Sequence, residues 1–582
     1  SPRRNGASPM SKLKSITGLL PYLAVVFLNA FVDLGHKIVI QNTIFKVYSG
    51  QEQIVLTAVV NGLILLPFIL LFSPAGFLAD RFAKQRVIRH AALAAVLATA
   101  LITAAYYTGS FHAAFALTLA LAVQSAIYSP AKYGYIKELV GQQNLAVANG
   151  TVQAVTIAGI LLGTFVFSIL FESLLPAGGV TNSGEILASI APIGWLLVGL
   201  AATEWLLSRR LPAQREGEAV EPFRAAPYLR LQYLRRNLRV VNANTAIWLS
   251  IIGLATFWAI SQVMLAAFPA FAKDTLAIDN TVVIQGVLAC SGIGIALGSV
   301  IAGRASRRYI ELGLVPLGAL GITICLAVLP LLGSSAAMGL MFLSVGAMGG
   351  IYIVPLNSLI QFHAREEQLG TILAGNNWVQ NVAMLGALGL TVLFALSGMD
   401  SVGLFYLLAL AALLGTGYTV YKLPHSLARI VAMALFRRRY RIAVQGFENL
   451  PQEGATLLLG NHISWIDWAL VQIACPRPVR FVMLRSIYEL WYLKPLFKAF
   501  GVVPIAAGQS EDSIGSINRL LRDGECVCLF PEGAISGDGH LGRFHTGFQR
   551  AVEGVEQGVI VPFYLHGMWG SAFSRAQAEA EK

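Results

Sequence analysis

The chain has 582 residues, of which 56% are hydrophobic and only 12% are charged, and its formal net charge is +12. A soluble globular protein carries about a quarter charged residues, so this composition excludes an ordinary soluble enzyme and indicates a polytopic membrane protein. The positive charge does not by itself indicate nucleic acid binding, because the cytoplasmic loops of membrane proteins collect Lys and Arg. The five cysteines have no His or Cys partners at ligand spacing, so neither a disulfide framework nor a metal site is predicted.

After an N-terminal tail at 1–15, apolar stretches of about 20 residues suit membrane-spanning helices. Twelve spans are predicted, near residues 16–41, 53–79, 87–108, 112–136, 150–172, 188–208, 244–271, 281–303, 311–332, 336–361, 370–397 and 402–421. They form two halves, 16–208 and 244–421, joined by a charged linker at 209–243. The loops after even-numbered spans are rich in Lys and Arg, so both ends of this all-α bundle are predicted to be cytoplasmic.

The two halves share an internal repeat. Pro130, late in span 4, corresponds to Pro355, late in span 10. The pattern Asn-x3-Gln occurs in span 5, ending at Gln153, and again in span 11, ending at Gln380. Two six-helix repeats with a long central linker are typical of parallel-repeat transporters.

Polar residues inside the spans are candidates for a transport pathway, because ionisable groups are costly in a bilayer. Asn29, Asp33, His36 and Lys37 share one face of span 1, and Gln41 continues it. Further candidates from other spans are Lys132, Gln153, Asn377 and Gln380. Many amides and few charges favour an amphiphile with a zwitterionic or small polar head as cargo. The alternative is structural: Asp33 and Lys37 form an internal pair, and single amides join helices.

The loop after span 2 reads GFLADRFAKQR and contains Gly76, Asp80, Arg81, Lys84 and Arg86. It resembles the motif that the major facilitator superfamily carries at this position, with Ala83 where Gly is usual. The resemblance implies a charge-relay latch between helix ends. The alternative is a plain excess of positive charge on the cytoplasmic side.

Residues 422–445 are basic and amphipathic, which predicts an interfacial helix or a linker that follows the positive-inside bias. From 446 to 582, short apolar runs such as ATLLLG and VIVPFY alternate with helical patterns. This alternation predicts an α/β domain.

Three blocks of this second domain each follow an apolar run. The first, GNHISWIDW, contains Asn461, His462 and Asp467; the others are LFPEG, with Pro531, Glu532 and Gly533, and VIVPFYLHG, with Pro562. Together they resemble the ordered blocks of glycerolipid acyltransferases. The resemblance implies that His462 is the general base and Asp467 its partner, and that substrate contacts come from Asn461, Pro504, Pro531, Glu532, Gly533 and Pro562. Alternatively, Ser464-x-x-Asp467 is a capping box.

Two departures from the family pattern bear on the acceptor. Ala534 and Ile535 stand where the family usually has Thr and Arg, and the GVVPI block at 501–505 has no Arg. Arg is the usual ligand of a dianionic phosphate. The sequence therefore favours a lysophospholipid with a phosphodiester over lysophosphatidate or glycerol 3-phosphate.

As a whole, the chain resembles bacterial lysophospholipid transporters fused to an acyltransferase. The resemblance implies a bifunctional inner-membrane protein with a cytoplasmic enzyme domain that takes acyl groups from acyl carrier protein or acyl-CoA and has no bound cofactor. The implied partners are lysophospholipids, acyl carrier protein and an adenylate-forming synthetase domain, whose loop the sequence does not contain. Two alternatives stay open: the bundle is only an anchor, or it carries another amphiphile beside an independent lysophosphatidate acyltransferase.

Overall fold

The structure is a computed structural model that describes residues 16–576 except 177–181, 214–223, 307–308, 366–367, 437, 439, 452, 493 and 506–509. The described residues fall into two compact units. The first lies within 1–301 and 318–415, and the second within 302–317 and 416–582. Residues 302–317 lie inside the bundle domain predicted from the sequence, but they belong to the second unit.

Long apolar helices dominate the first unit. Labelled α1 to α15 in chain order, the helices up to the end of the last span are Leu19–Val47, Gly50–Leu70, Phe72–Arg81, Lys84–Tyr107, Phe111–Leu174, Ser183–Ile190, Pro192–Ser208, Ala225–Leu229, Gln232–Asn242, Thr245–Leu276, Thr281–Ala305, Leu314–Val328, Ser335–His363, Leu369–Leu396 and Ser401–Lys422. In the described part of the chain, 11 helical segments could cross a membrane, or 12 if the pair α6–α7, bent by 55°, is one span. The predicted polytopic bundle is confirmed.

Two helix boundaries differ from the sequence prediction. Spans 4 and 5 lie in one run of 64 helical residues, α5, although a loop was predicted after span 4. The run turns back on itself between the spans, because Lys132 Nζ and Thr156 Oγ1, 24 residues apart, lie 3.2 Å from each other, whereas a straight helix would separate them by about 36 Å. Span 6 breaks at Pro192, which lacks the N–H needed to continue the α-helical hydrogen bonds.

Close backbone packing explains why residue 298 is a glycine. A Cβ on Gly298 of α11 would lie 1.9 Å from the carbonyl oxygen of Ala347 in α13, whereas a Cβ on Gly76 would meet nothing within 4 Å. Small residues of this kind let membrane helices approach each other closely. Gly298 therefore allows close helix packing.

The second unit contains a five-stranded parallel sheet. Its strands β1 to β5 are Ala455–Gly460, Val479–Leu484, Val503–Ile505, Cys526–Leu529 and Gly558–Phe563, in the order β3-β2-β4-β1-β5. The helices, labelled α16 to α21, are Pro424–Phe436, Asp467–Ala474, Arg485–Tyr488, Lys494–Ala499, Ser510–Arg522 and Gly547–Ala551. Leu457 and Val527 are fully buried in the centre of the sheet, as expected where helices cover a parallel sheet. The predicted α/β domain is confirmed, and only the short strand β3 was not foreseen.

Candidate functional sites

The predicted catalytic blocks meet at one edge of the sheet. His462 follows β1, Phe530 follows β4 and Leu565 follows β5, and β1 lies between the other two strands. The carboxyl ends of parallel strands lie at the same edge, which is where open α/β sheets bind their ligands. Topology thus brings together residues that are up to about a hundred positions apart.

His462 and Asp467 form a hydrogen-bonded pair. His462 Nδ1 lies 2.9 Å from Asp467 Oδ2, and the Asp467 side chain is fully buried. The His462 ring stacks on Phe530, with ring centroids 4.3 Å apart and planes 16° apart. Nδ1–H therefore points at the carboxylate, and Nε2 has no protein partner among the described residues. This arrangement leaves Nε2 able to accept a proton from a bound hydroxyl.

The Asp467 carboxylate also organises the turn between β1 and α17. Oδ2 accepts the backbone N–H groups of Ile463 and Ser464 at 2.6 and 2.9 Å, and Oδ1 accepts the Ser464 hydroxyl at 2.5 Å. The turn interactions suggested by Ser464-x-x-Asp467 are thus present together with the His462 contact. The two readings of Asp467 do not compete, because one carboxylate does both.

Two residues predicted to contact the substrate bind backbone groups of the protein. Glu532 accepts the N–H of His462 at 3.0 Å and the N–H of Gly542 at 2.8 Å. Asn461 is 3% exposed and makes a reciprocal pair of hydrogen bonds with the backbone of Leu565. Gly533 has φ of +72°, so it supplies the turn that carries Glu532 back toward β1. In this structure Asn461 and Glu532 position the segment that holds His462.

The prolines of the other blocks are spread across the sheet. Pro531 is buried beside Glu532, and its carbonyl accepts the N–H of His545 at 2.9 Å. Pro562 lies on edge strand β5 opposite Leu459 of β1, at a strand position where Pro is tolerated. Pro504 lies on β3, which is separated from β1 by β2 and β4. The structure therefore does not bring Pro504 next to His462.

The side chains after Glu532 bear on the acceptor. Ile535 is 6% exposed, so it packs inward, whereas Ala534 is exposed. Arg543 is exposed and directly follows Gly542, whose N–H binds Glu532. Sequence comparison with the family blocks missed this arginine because it lies eight residues beyond position 535, where the family usually has Arg, in a loop that folds back onto Glu532.

The cysteines of this unit are buried in its core. Cys475, Cys526 and Cys528 are each 3% exposed or less. Burial raises the pKa of the Cys528 thiol well above its usual range. A thiol held neutral and away from solvent is a poor nucleophile, which favours direct transfer over a covalent acyl-enzyme.

The first unit contains a polar cavity of about 290 Å³ among spans 1, 2, 4 and 5. Asn29, Asp33, His36, Lys37 and Lys132, all predicted from the sequence, line it. Its other polar side chains are Thr118, Ser125, Tyr128, Ser129 and Thr156. Apolar residues such as Leu34 and Phe68 complete the wall, so the cavity is amphipathic.

Asp33 is paired within this cavity, but not with Lys37. Its carboxylate accepts a hydrogen bond from Ser125, and it interacts electrostatically with Lys132, whose amine donates to Thr156 at 3.2 Å. No Asp33–Lys37 ion pair exists among the described residues. The cation opposite Asp33 thus comes from span 4 rather than from span 1.

Hydrogen bonds within the protein hold His36 and two of the remaining predicted pathway residues. His36 is fully buried and bonded on both ring nitrogens, with Nδ1 2.7 Å from Tyr106 Oη and Nε2 3.1 Å from Ala114 O. Gln41 donates to Asn61, and Gln380 donates to Asn376. Gln41, Gln380 and the exposed Asn377 do not line the polar cavity, and the side chain of Gln153 lies outside the described residues.

Glu204 was missed. It is fully buried in α7, where its carboxylate interacts with the Asn29 side chain but makes no hydrogen bond of full geometry within the described part of the chain. It interacts electrostatically with Asp33. Glu204 is the one acidic residue in span 6, so the rule that ionisable groups inside spans are functional candidates would have found it.

The residues of the loop after span 2 lie on α3 and at the start of α4. Lys84 forms an ion pair with Glu138 of α5, with Nζ and Oε1 2.5 Å apart, and its stem covers Gly134. Arg81 and Arg86 are exposed, Gly76 faces open space, and the side chain of Asp80 lies outside the described residues. Lys84 thus connects this loop to span 4.

Contacts between the two halves of the bundle lie where α1 ends, next to the connection between α10 and α11. This end, which contains Lys46, Glu172, Lys273 and Thr281, is called the far end. Glu172 of α5 binds Lys46 of α1 at 3.1 Å and accepts both the N–H and the hydroxyl of Thr281 of α11 at 2.7 Å. Lys273 of α10 donates to the carbonyls of Phe45 and Tyr48 at 2.6 and 2.8 Å. These contacts connect α1 and α5 to α10 and α11, so they close the far end.

Comparison with known proteins agrees with both units. The family model of the Major Facilitator Superfamily matches residues 22–388, and the model named Acyltransferase matches residues 441–566. The chain is 29% identical over 404 residues to the lysophospholipid transporter LplT of Enterobacter sp. (strain 638), covering 66% of this chain and 91% of the relative. It is 30% identical over 410 residues to LplT of Klebsiella pneumoniae (strain 342), covering 68% and 95%.

Solved structures share the fold of the bundle. A peptide transporter of the POT type in complex with alafosfalin aligns with a TM-score of 0.53 at 14% identity, covering 72% of this chain and 99% of that chain. The nucleoside transporter NupG aligns with a TM-score of 0.51 at 12% identity, covering 69% and 99%. The chain belongs to the Major Facilitator Superfamily and carries a C-terminal acyltransferase domain.

Proposed function

We propose that this chain moves lysophospholipids between the leaflets of the bacterial inner membrane and reacylates them with its C-terminal domain. The His462–Asp467 pair, held at the sheet edge with Nε2 free, is the observation that carries the enzymatic part. The similarity to lysophospholipid transporters over two thirds of the chain, and the amphipathic cavity around Asp33, support the transport part.

In the proposed reaction, His462 Nε2 takes the proton of the glycerol hydroxyl while its oxygen attacks the thioester carbonyl carbon. The C–S bond then breaks, and the proton returns from His462 to the leaving thiolate. Asp467 keeps the Nδ1 proton in place and stabilises the imidazolium formed in between. We propose acyl-CoA or acyl carrier protein as the thioester donor.

The positive-inside bias supports cytoplasmic ends for the bundle, which puts the acyltransferase domain and its thioester donors on the same side. Lysophospholipid delivered to the inner leaflet then appears beside the enzyme at a high effective concentration. The direct test is reconstitution in liposomes with labelled lysophosphatidylethanolamine in one leaflet, in which movement and acylation are measured separately. Acylation without any movement would support the reading of the bundle as an anchor.

The acceptor is expected to carry a phosphodiester. Purified protein given one acyl donor should acylate lysophosphatidylethanolamine at least about tenfold faster than lysophosphatidate, because a dianionic phosphate without a fixed Arg pair is poorly compensated. Arg543 alone can meet the single charge of a phosphodiester, so Arg543→Ala should raise KM for the acceptor. The exposed Arg519 on α20 offers a control substitution. A preference for lysophosphatidate would assign the domain to phosphatidate synthesis instead.

Closure of the far end is expected to depend on Glu172. Glu172→Ala removes the acceptor of three donors, and charge-assisted hydrogen bonds contribute about 1.5–3 kcal/mol each. Ser168 is fully buried one helical turn before Glu172, so a cysteine at this position reports on opening of the far end. In a background without the native cysteines, Ser168→Cys combined with Glu172→Ala should react at least about tenfold faster with an impermeant maleimide than Ser168→Cys alone. Glu185→Ala, an acid in the first turn of α6, is the control. Equal labelling in both variants would show that these contacts do not hold the end closed.

A further inference from the structure

The second unit contains a buried ion pair that neither family model covers in full. Glu311 lies inside the range matched by the Major Facilitator model, and Arg429 of α16 lies between the two matched ranges. Arg429 is 2% exposed and Glu311 is 3% exposed. Arg429 Nη2 lies 2.9 Å from Glu311 Oε2, and Nη1 lies 3.3 Å from Oε1, so the guanidinium binds the carboxylate through two nitrogens.

Both members of the pair make further contacts with neighbouring residues. The Tyr309 hydroxyl donates to Glu311 Oε2 at 3.0 Å and also contacts Arg429, whose guanidinium carbon lies 4.4 Å from the centre of the Tyr309 ring. Glu311 Oε1 accepts the N–H of Gly313 at 3.3 Å. A Cβ on Gly313 would lie 2.3 Å from the carbonyl oxygen of Ser426, so this segment and α16 are in backbone contact.

The remaining donor of Arg429 reaches the acyltransferase fold. Arg429 Nε donates to the carbonyl of Ile473 at 3.2 Å. Ile473 lies in the last turn of α17, and the first residue of that eight-residue helix is Asp467, which orients His462. A cation at this position also interacts favourably with the carboxyl end of a helix.

Apolar contacts join the same elements near the catalytic histidine. Ile463 and Leu470 form a cluster with Met568, and Phe436 at the end of α16 packs against it. α17 is therefore held by α16 both near its centre, through this cluster, and at its carboxyl end, through Arg429. Its amino end carries the carboxylate that the reaction uses.

We propose that Arg429 is a positioning residue for acyl transfer, and that Glu311, from the segment between spans 8 and 9, fixes Arg429 in the required orientation. The inference rests on the proposed roles of His462 and Asp467. A buried ion pair adds little net stability, because desolvation offsets the attraction, but it selects one geometry of the groups around it. In this protein the ion pair fixes the position of α17. The acyltransferase site therefore depends on Glu311, which belongs to the transporter part of the sequence.

The test uses the full chain, purified in detergent, with lysophosphatidylethanolamine and one acyl donor, so that no transport step is needed. Arg429→Met and Glu311→Gln should each lower kcat by about 10- to 100-fold with little change in KM, because displacing a catalytic group by about 1 Å has effects of that size. Glu311→Gln keeps the shape and acceptor oxygen of the side chain, so it remains informative if Arg429→Met fails to fold. Glu525→Gln, which removes the partly exposed ion pair with Arg480, is the matched control.

A double-mutant cycle separates positioning from general destabilisation. If Arg429 acts through Asp467, then Arg429→Met should change the residual rate of the Asp467→Asn enzyme by less than about twofold. The same 10- to 100-fold loss in that background, or an unchanged kcat in the single variants, would overturn the inference. His462→Ala belongs in the same series. If it retains acylation, the proposed function fails; if it loses acylation while both single variants keep their kcat, only the positioning role fails.

Discussion

His462→Ala is expected to lower the acylation rate of the purified protein by about 10²- to 10⁴-fold, which is the usual contribution of a general base. Within the described part of the chain, the His462 imidazole at this sheet edge has a carboxylate on Nδ1 and no protein partner on Nε2. The effect should appear in kcat, because the acceptor and the donor can still bind. Rates measured with a labelled thioester donor and saturating lysophosphatidylethanolamine would show it.

The same variant should move lysophospholipid at the wild-type rate, since the substitution lies in the acyltransferase fold and removes no residue of the polar cavity. His566→Ala, an exposed histidine that contacts Tyr564, is the control for loss of an imidazole from the same unit. Acylation within a few-fold of wild type in His462→Ala would remove this residue from the mechanism, and the family resemblance would then describe the fold alone.

The pairing of His462 with Asp467 could be predicted from the sequence because its determinants are local. His462 and Asp467 are five residues apart, follow one strand and lie in a block that resembles a known family. The roles of Glu532 and Asn461 could not be predicted in the same way. Each binds backbone groups of a segment 70 to 104 residues away, and only the order of the strands brings those segments together.

The spans of the bundle were predictable for a similar reason, because membrane insertion depends on the mean polarity of about 20 neighbouring residues. Pairing inside the bundle was not predictable from such averages. The sequence suggested Lys37 as the partner of Asp33, one helical turn away, whereas the structure has Ser125 and Lys132 on another helix. Likewise, nothing near Arg429 in the sequence indicates Glu311, which is 118 residues earlier.

Asp33→Ala is expected to lower the rate of lysophospholipid movement by at least about tenfold, because a hydrogen bond that involves a charged group contributes about 1.5–3 kcal/mol. The substitution removes the acidic group from the polar cavity and leaves Lys132, which is 8% exposed, without its opposite charge. The site then loses its ability to meet a zwitterionic head with both signs of charge. Leaflet-to-leaflet movement of labelled lysophosphatidylethanolamine in liposomes measures the effect.

Two further variants decide why the rate falls. Asp33→Asn keeps the hydrogen bond with Ser125 but not the charge, so it should be impaired to a similar degree if charge is what matters. Asp400→Ala removes an acid that caps α15 away from the cavity and should transport normally. Acylation of lysophospholipid supplied in detergent should be unchanged in all of them, since the enzyme site is built from other residues. Normal transport by Asp33→Asn, with a loss only in Asp33→Ala, would assign Asp33 to helix packing through Ser125 rather than to the recognition of the cargo.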